Sequence, residues 1–351
     1  MSGGVDSSVA AALLAEAGHD VVGVSMQLYD QRNGESFGSC CTIDDLHDAR
    51  RVAAAIGVPH YILNFEQQFE QAVVSNFVQE YTSGRTPLPC AHCNSDLKFS
   101  TLLDRAAGFD ADALATGHYA QVTFDARHQR HQLRRGVDRS RDQSYFLFGL
   151  TQVQLARAMF PIGALPKAAV RQYARERGLP VADKPESREI CFVPDGDYAA
   201  FVERRASAPP AGGAIVDRSG RRLGQHRGIH RYTVGQRKGL GLAAAIPLYV
   251  LELDAAGNQV IVGPRPALEQ ATCTADRVNW IGGTPSAAVT ATVQIRYQHH
   301  GAAAEVSPLD GGRARVTFTE PQPAIAPGQA AVFYDGDCVL GGGWIEGVSR
   351  R

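Results

Sequence analysis

The first eight residues of this 351-residue chain constrain its architecture more than any other segment. Residues 2–8 read Ser-Gly-Gly-Val-Asp-Ser-Ser, with two glycines, one acid and three serines, and lead into helix-forming residues 9–17. Glycines let backbone N–H groups approach an anion, serine hydroxyls add donors, and a helix N-terminus adds unpaired N–H groups. No lysine follows the glycines, so this is not a Walker loop, and its spacing is not that of a dinucleotide site. The pattern predicts a phosphate-binding loop of another kind.

Helix and strand patterns alternate through the first half of the chain, which is typical of a parallel sheet with crossover helices. The predicted helices cover 9–17 and 44–56, and the predicted strands cover 19–26, 60–63 and 113–116. His118 follows the third strand, where residues of a parallel sheet line the ligand crevice. Because a phosphate loop of this kind normally follows a strand, we expect the true start codon and a short apolar strand upstream of Met1.

The composition changes after about residue 200. Residues 208–213, rich in Pro and Gly, are typical of a linker. Short β-rich runs separated by turns then follow at 249–253, 260–262, 289–295, 314–318 and 331–334. Such spacing favours small barrels or sandwiches. We predict three domains: a phosphate-loop catalytic domain over 1–197, a small β domain over 198–266 and a C-terminal β-barrel over 267–351.

Charge and cysteine content restrict the class of protein. A net charge of −1 gives no global argument for a nucleic-acid partner, but two segments are locally basic. Asp138 is the only acid between Arg127 and Arg141, and residues 218–238 contain seven Arg and Lys and no acid. Seven irregularly spread cysteines do not resemble a secreted disulfide framework, so we expect a reducing, cytoplasmic location. We expect no membrane span, because no apolar run approaches the roughly 20 residues required.

The cysteines leave several chemistries open. Cys90 and Cys93 form a Cys-x-x-Cys pair, and Cys191 stands far downstream. Such a pair binds zinc, ligates an iron–sulfur cluster or performs redox chemistry. Zinc would require a second Cys-x-x-Cys pair, which the sequence lacks. We expect the adjacent cysteines 40 and 41 to pack as small apolar residues.

Short motifs along nearly the whole chain resemble those of one family. Residues 2–8 resemble the PP-loop of the ATP pyrophosphatases, which split ATP between its α and β phosphates. Together with that loop, the following segments resemble, in order, those of the tRNA-specific 2-thiouridylases: 40–41, 87–99, 116–120, 141–146, 185–192, 232–237 and 327–329.

The resemblance implies a fold and an activity. The fold is α/β: a PP-loop domain with a parallel sheet, like that of the adenine nucleotide hydrolases, followed by two small β-rich, barrel-like domains. The activity is ATP-dependent transfer of sulfur to the wobble uridine of the tRNAs for Lys, Glu and Gln, with Mg²⁺ accompanying ATP. Sulfur would arrive from a cysteine desulfurase or a sulfur-relay carrier.

Motif positions also imply roles for individual residues. Cys191 corresponds to the persulfide intermediate and Cys93 to the partner nucleophile, with a disulfide forming between them, and Asp6 belongs to the catalytic set. The implied ATP-binding residues are Ser2, Gly3, Gly4, Val5, Asp6, Ser7, Ser8, Met26 and Gly117. The implied tRNA-binding residues are Leu88, Pro89, Cys90, His118, Arg141, Asp142, Gln143, Arg296, Tyr297 and Gln329.

One departure from the family pattern leaves two cysteine chemistries possible. Leu88-Pro89-Cys90 stands where the family often has Asn-Pro-Asp, which alters the residues expected to touch the target base. Cys90, Cys93 and Cys191 could then hold a [4Fe–4S] cluster with one open iron, or act as a redox pair with a resolving thiol. Two other functions stay open from the residues alone: another PP-loop enzyme, such as an amide-forming ligase, and a non-catalytic tRNA-binding homologue.

Overall fold

A computed structural model describes residues 1–29, 42–185, 190–193, 196–208 and 211–348. The predicted packing of cysteines 40 and 41, and residues 186–189 of the motif before Cys191, lie outside this described part. The chain divides into two compact units. The first comprises Met1–Val74, Cys90–Tyr198 and Asp337–Val339, and the second comprises Ser75–Pro89, Ala199–Gly336 and the chain from Leu340 on.

The first helix, α1, covers Val5–Glu16 and so begins four residues before the predicted start. The second half of the phosphate loop is therefore the first turn of the helix. Two features explain the early start: Gly4 adopts the extended N-cap conformation, and Asp6 in the first turn interacts favourably with the helix dipole. The predicted helix over 44–56 is confirmed as α2, Ile43–Ile56, which ends at Gly57 with φ of +73°.

Four strands of the first unit form two parallel pairs, as predicted. β1, Gly23–Gln27, pairs with β2, His60–Asn64, and β3, Leu114–Ala115, pairs with β6, Ala158–Met159. The strand predicted over 19–26 begins four residues late, because residues 19 and 20 are exposed and only the last part of the apolar run joins the sheet. Among the described residues these pairs are two separate two-stranded sheets.

An antiparallel hairpin and several short helices complete the first unit. The hairpin strands are β4, Ala120–Asp125, and β5, Arg130–Arg135. The helices are α3, Glu66–Phe69; α5, Pro89–His92; α6, Leu103–Ala106; α7, Gln152–Ala156; α8, Lys167–Glu176; and α9, Tyr198–Arg205, whose first residue only belongs to this unit. Two π-helices, Glu70–Val74 and Cys93–Leu102, lie between them. The core joins α1, α2 and α8 through Val9, Val52 and Val170, all fully buried.

The second unit is rich in β structure. After α4, Ser75–Thr82, it forms a four-stranded sheet from β7, Gly213–Asp217; β8, Arg222–His226; β9, Tyr249–Asp254; and β10, Gln259–Gly263. The other six strands are β11, Glu269–Trp280; β12, Val289–Gln294; β13, Ala302–Leu309; β14, Arg313–Pro323; β15, Ala330–Asp335; and β16, Cys338–Val348, whose first two residues belong to the first unit. Their order, β11-β14-β13-β12-β15-β16, closes on itself through a β11–β16 pairing, which makes a six-stranded barrel.

This architecture confirms the predicted fold class. A mixed α/β part containing the phosphate loop precedes a small β sheet and a closed barrel. The barrel core alternates inward residues along each strand, such as Val293, Val306 and Val316, all fully buried. None of the helices in the described ranges is long and apolar enough to cross a membrane.

Candidate active site

The predicted phosphate loop forms the entrance to α1. Gly4 at the N-cap has no side chain with which to cap the helix. The first N–H groups of an α-helix have no partner within it, so an uncapped entrance suits an anion. The hydroxyls of Ser7 and Ser8 donate to the Gly4 carbonyl oxygen at 3.2 and 2.8 Å, and the hydroxyls of Ser2 and Ser7 lie 3.1 Å apart. These short bonds give residues 2–8 a defined shape.

Two glycines allow other backbone segments to approach the loop. Gly3 has φ of +69°, and a Cβ there would lie 2.2 Å from the carbonyl oxygen of Asp45. A Cβ at Gly117, just after β3, would lie 2.6 Å from the backbone nitrogen of Ser7. Neither approach tolerates a side chain. Gly117 therefore supports the loop by packing directly against it, while Met26 lies within β1.

Asp6 is the charged centre of the loop. The hydroxyl of Tyr119 donates to Asp6 Oδ1 at 2.8 Å, and the ammonium group of Lys167 donates to Oδ1 and Oδ2 at 2.7 and 2.8 Å. The Lys167 side chain is 10% exposed and that of Asp6 is 32% exposed. The fold thus brings a cation to the loop from 161 residues away in the chain.

A second lysine fixes the segment on the other side of the loop. Lys184 Nζ lies 2.6 Å from Asp45 Oδ1 and also pairs with Asp48. Burial disfavours the ammonium charge, but the hydrogen bonds to Asp45 and Asp48 outweigh it and raise the pKa of Lys184. Asp45 also forms a capping box with Thr42 at the start of α2. The ammonium group of Lys184 is therefore paired with two carboxylates of α2.

Cys93 opens an unusual helical segment. The short α5 passes directly into the π-helix Cys93–Leu102, a conformation that is rare and frequently found at functional sites. Cys93 itself is half-buried. Its neighbour Asn94 is buried, donating to the Phe146 carbonyl at 3.2 Å and accepting from Lys98 Nζ at 3.1 Å. The backbone that carries the Cys93 thiol is therefore firmly held.

Cys191 lies in the short described segment 190–193. It is also half-buried, and its carbonyl oxygen accepts a hydrogen bond of 3.4 Å from the Tyr29 hydroxyl. The next residue, Phe192, packs edge-on against Phe69 with 5.5 Å between ring centroids. Cys191, Cys93 and the phosphate loop all belong to the first compact unit.

The three cysteines of the predicted cluster do not form a metal centre in this structure. Cys90 is exposed and Cys93 and Cys191 are half-buried, and none of the three is in a disulfide. Within the described ranges, no group of three or more His, Cys, Asp or Glu side chains could hold a metal ion. These observations concern a single metal ion, and a [4Fe–4S] cluster, whose thiolates bind separate irons, stays a prediction.

His118 is buried, although it was predicted to contact tRNA. Its ring lies 6.5 Å from that of Phe99 and 5.9 Å from that of Phe160, and Nδ1 lies 2.7 Å from the hydroxyl of Thr116. Burial, followed by the nearby charge of Lys98, holds the pKa of His118 well below its usual value. The ring is therefore neutral at neutral pH.

The Arg-Asp-Gln segment at 141–143 also makes internal contacts. Buried Asp142 accepts from Arg135 Nη1 at 2.7 Å and from the Ser144 hydroxyl at 3.0 Å. Gln143 Oε1 accepts from the Tyr119 backbone N–H at 3.0 Å, and the Gln143 N–H donates to the Tyr119 carbonyl at 2.9 Å. The segment is thus attached to Tyr119, whose hydroxyl contacts Asp6.

The remaining residues predicted to bind tRNA lie in the second unit. Gln329 donates to the carbonyl oxygens of residues 86 and 87 at 3.2 and 3.1 Å, and so holds the backbone just before buried Leu88 and Pro89. Arg296 donates to the Pro323 carbonyl at 3.3 Å, and Tyr297 is exposed. Direct contact of these residues with tRNA stays a prediction.

Comparisons with known proteins match all three parts of the chain. Residues 1–195 match the family described as "tRNA methyl transferase HUP domain". Residues 200–264 match a "tRNA methyl transferase PRC-barrel domain", and residues 270–345 an "Aminomethyltransferase beta-barrel domain".

Curated relatives extend over the full chain. The tRNA-specific 2-thiouridylase MnmA of Geotalea uraniireducens is 54% identical, covering 99% of this chain and 93% of the relative. Proteins of the same name from Geobacter metallireducens and Solibacter usitatus are 53% and 52% identical, with 99% of this chain covered in each case and 95% and 98% of the relatives. The chain belongs to the tRNA-specific 2-thiouridylase family.

A solved structure gives a much weaker likeness. NMN synthetase from Francisella tularensis matches with a TM-score of 0.30 and 15% identity, over 52% of this chain and 63% of that one. Unlike the thiouridylase relatives, it supports no argument about this chain.

The sequence analysis did not predict Lys167, which contacts the loop from α8. Lys167 has no counterpart in the sequence motifs, yet it contacts Asp6 twice. One local signal exists: Lys167 is the first residue of α8, where a cation opposes the helix dipole, and the first turn contains no acid. A lysine so placed needs an acidic partner elsewhere in the fold.

Proposed function

We propose that this chain is an ATP-dependent tRNA 2-thiouridylase, which converts a wobble uridine to 2-thiouridine. The observation that carries the proposal is the presence, in one compact unit, of an uncapped Gly-Ser helix entrance and two half-buried thiols, Cys93 and Cys191. The names of the full-length relatives support the same activity.

The loop at residues 2–8 suits the activation step. The C2 carbonyl of uracil is a poor electrophile because its leaving group would be oxide. Attack of uridine O2 on the α phosphorus of Mg²⁺·ATP would release pyrophosphate and leave AMP on that oxygen, which makes it a good leaving group. Backbone N–H groups at the entrance of α1 would hold the phosphates, since such groups bind anions without further charge.

The two thiols suit the sulfur-transfer step. A persulfide on Cys191 would attack C2 through its outer sulfur and expel AMP. The Cys93 thiolate would then attack the inner sulfur of Cys191, releasing 2-thiouridine and forming a Cys93–Cys191 disulfide. An external thiol would reduce that disulfide, and a cysteine desulfurase or sulfur carrier would renew the persulfide.

The basic residues suit a tRNA partner. Arg134 in β5 is half-buried and Arg222 in β8 is exposed, and each lies in one of the two locally basic segments. Phosphate contacts of this kind would position the anticodon stem, while the target base leaves its stack to reach the loop. We propose the tRNAs for Lys, Glu and Gln as substrates.

The domain descriptions that mention methyl transfer suggest a different reaction. Methyl transfer does not release pyrophosphate from ATP, so it would leave the ATP-type loop without a role. The loop therefore favours thiolation over methylation.

Mass spectrometry of tRNA nucleosides tests the proposal. A strain lacking the gene should lose 2-thiouridine, and the wild-type gene should restore it, whereas a Cys191→Ser gene should not. Purified protein should convert ATP to AMP and pyrophosphate only when the tRNA is present. Restoration of a methylated nucleoside instead of 2-thiouridine would contradict the proposal.

A further inference from the structure

Lys167 occupies a position that its own helix does not favour. It is the first residue of α8, where the positive end of the helix dipole repels an ammonium group. The side chain is nevertheless 10% exposed, and its Nζ contacts both carboxylate oxygens of Asp6 at 2.7 and 2.8 Å. Its position is therefore set by the phosphate loop and not by the helix that carries it.

An acid from the first basic segment holds Lys167 in this position. Pro166, at the N-cap of α8, makes no side-chain cap, and Asp138 Oδ2 accepts the Lys167 backbone N–H at 3.0 Å instead. This backbone bond, followed by the Ser140 hydroxyl, lowers the pKa of Asp138. Asp138, the only acid between Arg127 and Arg141, thus caps the helix that presents the lysine.

We propose that Lys167 is the cation that neutralises the phosphates of ATP in this loop and that Asp138 is its positioning residue. This inference rests on the proposed function, because it takes residues 2–8 to be the ATP site. A Walker loop carries its phosphate lysine within its own sequence, whereas this loop has none there. Lys184 does not fill the role, since it pairs with Asp45 and Asp48 of α2.

The carboxylate of Asp6 keeps the Lys167 ammonium group at the loop. When Mg²⁺·ATP binds, the phosphate oxygens would replace Asp6 as acceptors. The Lys167 charge would then lie where negative charge grows as pyrophosphate leaves.

Nucleotide binding without tRNA tests the proposal apart from thiolation. The probes are Mg²⁺·α,β-methylene ATP, which cannot be split between the α and β phosphates, and adenosine, which has no phosphate. Lys167→Met should bind the ATP analogue about 10- to 100-fold more weakly, because a charge-assisted contact is lost, and should bind adenosine unchanged. Lys167→Arg, which keeps the charge, should lose less.

Arg177→Met is the matched control, because Arg177 also joins α8 to α1 by pairing with Glu16 at their far ends. It should bind both probes as the parent does. Asp138→Ala should weaken analogue binding, and Asp138→Asn, which keeps an acceptor oxygen, should restore it.

The outcomes separate the inference from the proposed function. Unchanged analogue affinity in Lys167→Met, or an equal loss for analogue and adenosine, would overturn the inference alone. Failure of the parent protein to bind the analogue would overturn the ATP site and with it the proposed function. Circular dichroism checks folding, and if Lys167→Met does not fold, the pair Asp138→Ala and Asp138→Asn decides by the same measurement.

Discussion

Arg135 donates a hydrogen bond of 2.7 Å from Nη1 to the buried carboxylate of Asp142. The two side chains are 16% and 6% exposed, so this pair lies largely inside the first unit. The first basic segment is therefore not uniform. Arg135 supports the fold, whereas its neighbour Arg134 has no side-chain hydrogen bond or ion pair among the described residues.

This difference predicts separate effects for two adjacent arginines. Arg134→Gln and Arg222→Gln should each weaken tRNA binding and reduce the slope of log K against log salt by about 1, because each removes a phosphate contact. Unchanged slopes in both variants would show that neither Arg134 nor Arg222 contacts a tRNA phosphate. Arg175→Gln is the control: it removes a cation of α8 that pairs with Asp183, and it should leave the slope unchanged.

Arg135→Gln should act on stability instead. It leaves the buried Asp142 without its cation, at a cost of about 1–3 kcal/mol in the free energy of unfolding. Urea denaturation measures this cost directly. An equally stable variant would show that the Ser144 hydroxyl and backbone contacts suffice for Asp142.

Substitutions in the phosphate loop should separate ATP chemistry from RNA binding. Asp6→Asn and Ser7→Ala should each lower AMP formation by about 100-fold or more, because they remove groups at the phosphates, while tRNA affinity stays nearly unchanged. Pyrophosphate release and filter binding measure the two properties. Asp20→Asn, an exposed acid beyond the end of α1, should leave both unchanged. Wild-type pyrophosphate release in the loop variants would refute the assignment of the loop.

The cysteine variants should stop the reaction at a defined stage. Cys191→Ser should abolish 2-thiouridine but still release pyrophosphate and adenylate the tRNA, since activation precedes sulfur transfer, and Cys93→Ser should lose turnover. Cys273→Ser is the control, because burial raises the pKa of the Cys273 thiol to about 12 and leaves it inert within the barrel. Normal 2-thiouridine from Cys191→Ser would exclude the proposed sulfur path.

Substitution of Cys90 distinguishes thiol chemistry from iron–sulfur chemistry. Because Cys90 is exposed and stands where the family often has an acid, we expect this thiol to be dispensable: anaerobically purified protein should be colourless, and Cys90→Asp should thiolate tRNA from a persulfide donor. Iron and sulfide analysis provides the measurement. A brown protein with about four irons per chain, lost in Cys90→Asp, would instead establish a cluster.

His118 should make the first unit sensitive to acid. Its pKa is lowered in the folded state, so the unfolded chain binds the proton more readily, and stability is full above about pH 6.5 and falls as the pH drops below it. The loss is about 1.4 kcal/mol for each pH unit in that range. His118→Gln should therefore lose less stability than the parent between pH 7.5 and 5.5 in urea denaturation. Equal losses would mean that His118 is protonated in the folded state.

The sequence predicted those parts of the fold that depend on local pattern. The helix ending at Gly57 was predicted almost to the residue, because a left-handed glycine and a capping box mark its ends. The start of α1 was predicted four residues late, because the glycines and serines of the loop conceal a first helical turn. Gly4 at the N-cap makes no side-chain cap hydrogen bond that would mark the helix start in the sequence.

The site was predictable only where its residues are adjacent in the chain. The loop at residues 2–8 was recognised as one motif, whereas Tyr119 and Lys167 reach Asp6 from 113 and 161 residues away. No spacing rule relates such distant positions. Similarly, the buried environments of His118 and Asp142 follow from tertiary packing, which single-sequence patterns do not contain.

Closure of the barrel has a consequence for how the C-terminal part of the chain can recognise anything. Each of the six strands from β11 to β16 pairs with two others in the ring, and β16 also pairs with β5 at its first residue, Cys338. Along the closed part of the ring the main-chain amides are occupied by one another, so a further strand cannot add there. A partner that binds this barrel must therefore contact its side chains or the turns at its two rims.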